Sequence, residues 1–389
     1  MKKAYLISCF DNYDSRIKYW ESFLKDKQYD VNYITSNFDH ITKKKLNDKS
    51  DNKVIIDTIS YKKNISPKRI ISHIIFSYKV YKYLYKIEKD FVYVILPPNF
   101  LLFFISKLKK KENFILVGDI FDLWPETFPV KKKWFLETPF KVWANLRNKS
   151  LEKLDYLITE CNLYQSELKF YTKNIPKKTL YLTKEFSGEE FNLKEKEYEE
   201  IRKNTKKAVI KLCYLGSINN ILDIDLLISL IKEIQKKQAV ELIIIGEGEK
   251  KLYLLDLLKN KDINFKYHGA IFDDVIKQQI LSCCDYGLNL MKDEVTVGLT
   301  MKSMDYFAAG LPIINSIKGD TLELIGEYEA GVNIERSNLE QSVKTIINQE
   351  PSMVKRNVKK MHSELFSNDS FYKKLEIIFN EIEEESNNG

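Results

Sequence analysis

VGLTMKSMDYFAAGLPIINS, Val297 to Ser316, joins a short helix to a buried-type strand through a Gly-Leu-Pro stop. Thr300 is placed to cap the helix start, Gly310 suits a left-handed residue just past its end, and Pro312 forbids continuation. A helix that opens after a strand offers free backbone N–H groups and a positive dipole end, which suits a diphosphate. The Asp305 carboxylate, about one turn further in, is placed to accept hydrogen bonds from two ribose hydroxyls. Phosphate at the mouth and ribose one turn deeper is an arrangement for a nucleotide sugar. The same spacing also fits a core helix with one exposed acid.

Outward from that block, the chain reads as ordinary globular material. Its 389 residues exceed the ~150 of one domain and predict two. Sixty-two basic against 55 acidic residues leave +7, too little for a dedicated nucleic-acid binder but enough to favour anionic surfaces if clustered. The first apolar run, Ala4 to Phe10, is too short for a cleavable leader and meets Asp11, Asp14 and Arg16. Val92 to Ile105 falls short of the ~18 apolar residues of a membrane span and is broken by Pro97, Pro98 and Asn99. Five cysteines, with Cys283 and Cys284 adjacent, do not read as a disulfide framework, and the four histidines show no metal-ligand spacing with them. These features predict a cytoplasmic chain, resting if anywhere on the inner face of the cell membrane.

Apolar runs alternate with helical stretches throughout. One series of strands is predicted at Lys3–Cys9, Val31–Thr35, Lys53–Ile59, Phe91–Leu96, Phe114–Val117 and Tyr156–Thr159. A second follows at Lys211–Leu215, Val240–Ile245, Ile263–His268, Tyr286–Asn289 and Pro312–Asn315. Val/Ile/Leu runs with helices between them indicate parallel sheets covered on both faces, hence an α/β chain of two doubly wound domains. Lys184 to Lys207 is charge-dense and poor in large aliphatics, so it reads as a linker. The predicted division is 1–183, linker 184–207, 208–366, and a helix within 367–389 whose Phe371, Leu375, Ile378, Phe379 and Ile382 need a surface to cover, the first domain being one option.

In open parallel sheets, ligands bind beyond the carboxyl ends of the strands. Leu215 is followed there by Gly216 and Ser217, and Ile245 by Gly246, Glu247 and Gly248. Those glycines permit close approach of a base or phosphate, though glycine after a strand is also a common turn. His268 closes a third strand in the same way and is equally read as structural. Lys302, in the helix's first turn beside Thr300 and Met301, is the candidate cation for a leaving group, against the alternative of a solvated lysine. In the first half, FILVGDIFDLWPETFP (Phe114–Pro129) ends a strand at Gly118-Asp119, then supplies Asp122, Trp124 and Glu126, a sugar-binding edge or a polar loop with a structural tryptophan. Asp11 and Arg16 follow the earliest strand, with no glycine-rich phosphate loop. Two basic-aromatic segments, Phe100–Lys111 with its KLKKK end and Lys131–Trp143, suit an anionic lipid surface or an inward-packed helix.

On these residues the chain resembles the retaining glycosyltransferases of the GT-B fold, the large fourth family. LGSINNILDIDLLISLI (Leu215–Ile231) and LIIIGEGE (Leu242–Glu249) look like the opening of its donor domain, and Cys283–Ser316 like its donor-site block. DLWPE (Asp122–Glu126) is similar to a segment of bacterial enzymes that build capsule, exopolysaccharide or O-antigen units. The resemblance implies two Rossmann-like domains facing across a cleft, a hexosyltransferase using a nucleotide sugar such as a UDP-sugar, and no metal or other cofactor. It also implies a saccharide or polyprenyl-linked saccharide acceptor held by the first domain, and peripheral contact with an anionic membrane. Asp305 stands where the family has the second glutamate of a pair, the one that holds ribose. The first falls at Val297 and is missing, with Asp293 and Glu294 near in sequence but out of register. No basic residue follows Gly216-Ser217 between Asn219 and Asp225, so Lys302 is left to supply that charge. The implied roles are donor binding by Gly216, Ser217, Gly246, Glu247, His268, Thr300, Met301, Lys302 and Asp305. Asp119 and Asp122 would orient acceptor or sugar, and Asp11, Arg16, Trp124 and Glu126 would line the acceptor edge. Two other readings are a UDP-sugar 2-epimerase on the same fold, which expects more acids and histidines at the site, and a non-catalytic partner subunit, favoured by the missing glutamate.

Overall fold

The computed structural model describes residues 1–388 except 11–13, 41, 47–51, 64–65, 128–133, 187–208, 294 and 296. It divides into two compact units, Met1–Tyr181 with Tyr372–Gly389, and Leu182–Phe371. The predicted linker 184–207 lies mostly outside the described residues.

Among the described residues of the first unit, seven strands form one parallel sheet: β1 (Lys3–Ile7), β2 (Asp30–Ser36), β3 (Lys53–Ile56), β4 (Phe91–Leu96), β5 (Ile115–Ile120), β6 (Tyr156–Thr159) and β7 (Lys177–Thr179). Their order is β3-β2-β1-β4-β5-β6-β7. The second unit holds six: β8 (Val209–Leu215), β9 (Ala239–Ile245), β10 (Asn264–Tyr267), β11 (Tyr286–Asn289), β12 (Ile313–Asn315) and β13 (Gly331–Asn333), in the order β10-β9-β8-β11-β12-β13. Both sheets are doubly wound, with strand order reversing beside β1 and β8. Each unit is a Rossmann-like fold.

The central strands explain the layering. FVYVIL of β4 is wholly buried, which only a sheet with helices on both faces provides. In the second unit, helix Ile224–Gln235 starts at Asp223, whose carboxylate accepts from Leu226 N at 3.0 Å. It turns Leu227, Leu230, Ile231 and Ile234 onto Leu242, Ile244 and Leu288 of the sheet.

Two edge strands were not predicted. β7 reads Lys-Lys-Thr and β13 Gly-Val-Asn, so neither carries the apolar run that marks a central strand. A second difference changes the site. The strand predicted to stop at Val117 continues to Ile120, because Asp119 pairs with Ile95 on one side and Ile158 on the other. Gly118 is therefore no turn; a Cβ there would lie 2.7 Å from the Leu154 side chain, which packs against the strand.

Candidate functional site

The strand order of the second unit reverses between β8 and β11, so their carboxyl ends flank its natural crevice. Gly216 follows β8 with φ +128°, and its N–H bonds Ile245 O at 2.9 Å. Gly246 follows β9 with φ +153°, and a Cβ on it would stand 1.9 Å from Gly216 O. No other residue lets the two loops lie this close. Ser217, Glu247 and His268 are all exposed along the same edge. The Tyr267 hydroxyl and Lys251 both bond the Glu247 carboxylate and hold it below its usual pKa, so a ligand there competes with formed contacts.

Helix Met301–Ala308 opens on the other side of the crevice. Thr300 caps it as the sequence predicts, its hydroxyl accepting from Ser303 N at 3.2 Å. The Ser303 hydroxyl lies 2.7 Å from that of Thr300 and accepts from Asn289 Nδ2 at 2.8 Å, tying the mouth to the end of β11. With Ser303 N taken, the N–H groups of Met301 and Lys302 remain to meet a ligand. At the far end Gly310 has φ +62°, the expected left-handed stop.

The Lys302 stem passes within 4.0 Å of the position a Gly216 Cβ would take, and its Nζ stands 5.0 Å from the centre of the Tyr214 ring. The lysine thus crosses from the helix toward the β8 loop. Among the described residues no carboxylate reaches its ammonium, and burial lowers its pKa to about 8. A half-buried cation that gains no carboxylate from the described residues is suited to take an anion from a ligand. Met301 points outward, 63% exposed.

Asp305 is half-buried. Its Oδ1 lies 3.6 Å from both Lys184 Nζ and Lys277 Nζ, which also bind Asp274 at 2.6 and 2.7 Å. Burial raises the Asp305 carboxyl, and the two ammonium groups pull it back. Sequence reasoning missed Lys184, Lys277, Asn289 and Ser303. Ser303 lies within the helix itself, and Lys277, Asn289 and Lys184 reach it from another helix, a strand end and a loop, so no local spacing marks them. Tyr306 was missed too. Its hydroxyl donates toward Cys213 O at 3.1 Å and accepts from Leu215 N at 2.8 Å, and its ring fills the space a Gly287 side chain would need. This fixes the helix to the β8 and β11 ends.

The first unit corrects several assignments. Asp119 and Arg16 were expected at a ligand edge, but both side chains are 0% exposed and pair with each other at 2.8 Å. Asp119 also accepts from the Tyr93 hydroxyl, and Arg16 donates to Leu180 O. They are a buried structural pair with no face toward a substrate. Trp124, 7% exposed, is no open platform for a sugar: Arg69 covers it at 4.5 Å, and His73 and Trp143 pack on it at 6.1 Å. Glu126 is held by Arg147 through bonds of 2.7 and 2.9 Å. Asp122, like Glu126, is half-buried. Asp11 lies outside the described residues, as do Glu294 and Lys131–Lys133. Of the second basic-aromatic segment, Trp143 faces inward against Trp124.

Among the described residues no cluster of three or more His, Cys, Asp or Glu is placed to hold a metal ion, and no helix is long and apolar enough to cross a membrane.

Residues 210–349 match the family model described as glycosyl transferases group 1, so the second unit carries a glycosyltransferase domain. No curated protein matches the chain. Solved structures share the fold over nearly its whole length. Sucrose-phosphate synthase from Thermosynechococcus elongatus is similar with a TM-score of 0.67 at 14% identity, covering 98% of this chain and 99% of that one. HepE of Anabaena in complex with UDP is similar with a TM-score of 0.66 at 14% identity, covering 98% and 100%. The lipopolysaccharide outer core galactosyltransferase WaaB has a TM-score of 0.59 at 14% identity, covering 98% and 99%. These are GT-B glycosyltransferases.

Proposed function

We propose that this chain transfers a sugar, with retention, from a UDP-sugar to a saccharide acceptor carried on a lipid, in the synthesis of a bacterial surface polysaccharide. The carrying observation is the crevice at the ends of β8 and β11, where a capped helix mouth, an anion-free lysine and two close-approach glycines converge. HepE, one of the similar structures, has been solved with UDP and with UDP-glucose, which supports uridine as the base.

In this reading the diphosphate meets the N–H groups of Met301 and Lys302, and the Lys302 ammonium. Negative charge grows on it as the sugar leaves, so these contacts strengthen toward the transition state and lower the barrier. Gly216 and Gly246 admit the nucleotide against the backbone, and Asp305 accepts from the ribose through the oxygen that Lys184 and Lys277 leave clear. The cation of the site is a lysine, so the reading includes no metal. Acceptor recognition belongs to the first unit, with Asp122 its best placed acid, at the inner face of the membrane.

Two measurements test it. A panel of nucleotide sugars assayed for nucleotide release, with and without lipid-linked saccharide, should give release with a uridine donor. Silence with every donor favours a non-catalytic partner, a reading that Val297 in place of the sugar-side acid keeps open. Second, Asp305→Asn should weaken UDP binding by about 1–3 kcal/mol, since it removes a charged acceptor from a half-buried site. Unchanged affinity by calorimetry removes the ribose role.

A further inference from the structure

Helix Pro67–Leu84 has two apolar faces. One, through Phe76, Val80 and Leu84, is buried in the first unit. The other carries Ile71, Ile74 and Tyr78, continued by Tyr85 just past the helix, and these are 47%, 36%, 42% and 58% exposed. The intervals are three, four and seven residues, so they make a single stripe. A helix on a watered surface turns charge outward on that side. Here PKRIISHIIFSYKVYKYL contains no acid, and its Lys68, Lys79 and Lys82 lie along one border of the stripe.

The neighbouring helix Asn99–Lys109 extends the surface. Phe104 packs 5.6 Å from Tyr78 and 6.0 Å from Tyr81, and Lys107 sits 4.1 Å above Phe103 at the head of the Lys107–Lys111 run. Beside the stripe, past the end of β3, lies a groove of about 760 Å³ lined by Lys45, Asp57, Ile59, Tyr78, Lys79 and Lys82. Three lysines there face one aspartate, and Lys45 already binds that carboxylate at 2.7 Å, so the groove is net positive.

We propose that this face docks on an anionic lipid bilayer. Ile71, Ile74 and Tyr78 enter the boundary between headgroups and acyl chains, which removes their apolar surface from water. The lysines meet lipid phosphates, at the groove and along the border. A second copy of this chain is the poorer occupant, because two such faces would set lysine against lysine. The inference rests on the membrane element of the proposed function and on none of its sugar chemistry.

The test is sedimentation of the full chain with vesicles of phosphatidylcholine containing about one third phosphatidylglycerol, an anionic fraction sufficient to attract polybasic surfaces. The protein should pellet with them and not with pure phosphatidylcholine, and should be released as salt shortens the screening length. Lys79→Gln with Lys82→Gln should weaken binding roughly fivefold per lysine. Ile71→Ser with Ile74→Ser should weaken it as well. UDP titration shows whether each variant keeps a working second unit, and circular dichroism whether the first remains folded. No sedimentation with anionic vesicles, or sedimentation indifferent to both pairs of substitutions, overturns the proposal. So does a dimer by sedimentation velocity that Ile71→Ser/Ile74→Ser dissolves. If the native chain binds vesicles but not UDP, the donor reading fails and the docking surface stands.

Discussion

Lys302 has two pH dependences of opposite sign. With no ligand, burial penalises its charged form, and the group titrates at about 8 rather than the ordinary 10.5. The unfolded chain therefore holds more protons than the folded one between those values. The cost to folding is present below about pH 8 and disappears as pH rises toward 10.5. A bound diphosphate reverses the preference, because its charge favours the ammonium. UDP affinity should therefore fall as pH rises from 7 through 9, a span that brackets the lysine's value of about 8. Calorimetry in buffers of different ionisation enthalpy should show proton uptake on binding near pH 8. Lys302→Arg should flatten the profile, since a guanidinium stays charged throughout. A wild-type profile equally flat would remove Lys302 from the diphosphate.

At the scale of elements, the close approach of the β8 and β9 loops makes a sharper demand than any single side chain. Gly246→Ala would place a methyl group 1.9 Å from Gly216 O at a backbone φ of +153°, so the loops must separate. The expected result is loss of UDP binding together with destabilisation of about 1–3 kcal/mol from strain, read by calorimetry and denaturant titration. Thr300→Ala, by contrast, should cost about 1 kcal/mol of stability through the lost cap. These two features were legible in the sequence, because caps and glycine turns are local and their residues adjacent. The buried strands were legible for the same reason: Phe91–Leu96, Tyr156–Thr159 and Tyr286–Asn289 are found where their apolar runs place them. What the sequence could not disclose was partnership at long range. Asp119 looks like a loop acid until its neighbours in β4 and β6 carry the strand past it and Arg16 arrives from a helix 103 positions earlier. Trp124 looks like a sugar platform until Arg69, His73 and Trp143 are seen to cover it. The lysines at Asp305 are invisible for the same reason, being 121 and 28 residues away along the chain.

The whole molecule is two folding units tied by a tail, since helix Asn368–Asn388 ends within the unit that began the chain. Its apolar positions Leu375, Ile378, Phe379 and Ile382 are buried. Phe379 meets Phe23 at 5.4 Å, Tyr29 at 6.2 Å and Phe91 at 6.4 Å, while Glu381 accepts from the Tyr156 hydroxyl and from Lys178. The first unit's core is therefore finished by residues that follow the second unit along the chain, and this division predicts two unfolding transitions. A single unfolding free energy does not describe such a chain. Under the proposed donor reading, UDP should raise only the second unit's transition, by an amount set by ligand concentration over Kd. Phe379→Ala should do the reverse. It empties an aromatic site in the first unit, at a cost of about 3–5 kcal/mol, and should lower the transition that UDP leaves unmoved. Differential scanning calorimetry with and without UDP distinguishes the two. A single transition that responds equally to ligand and to Phe379→Ala would show instead that the units melt as one.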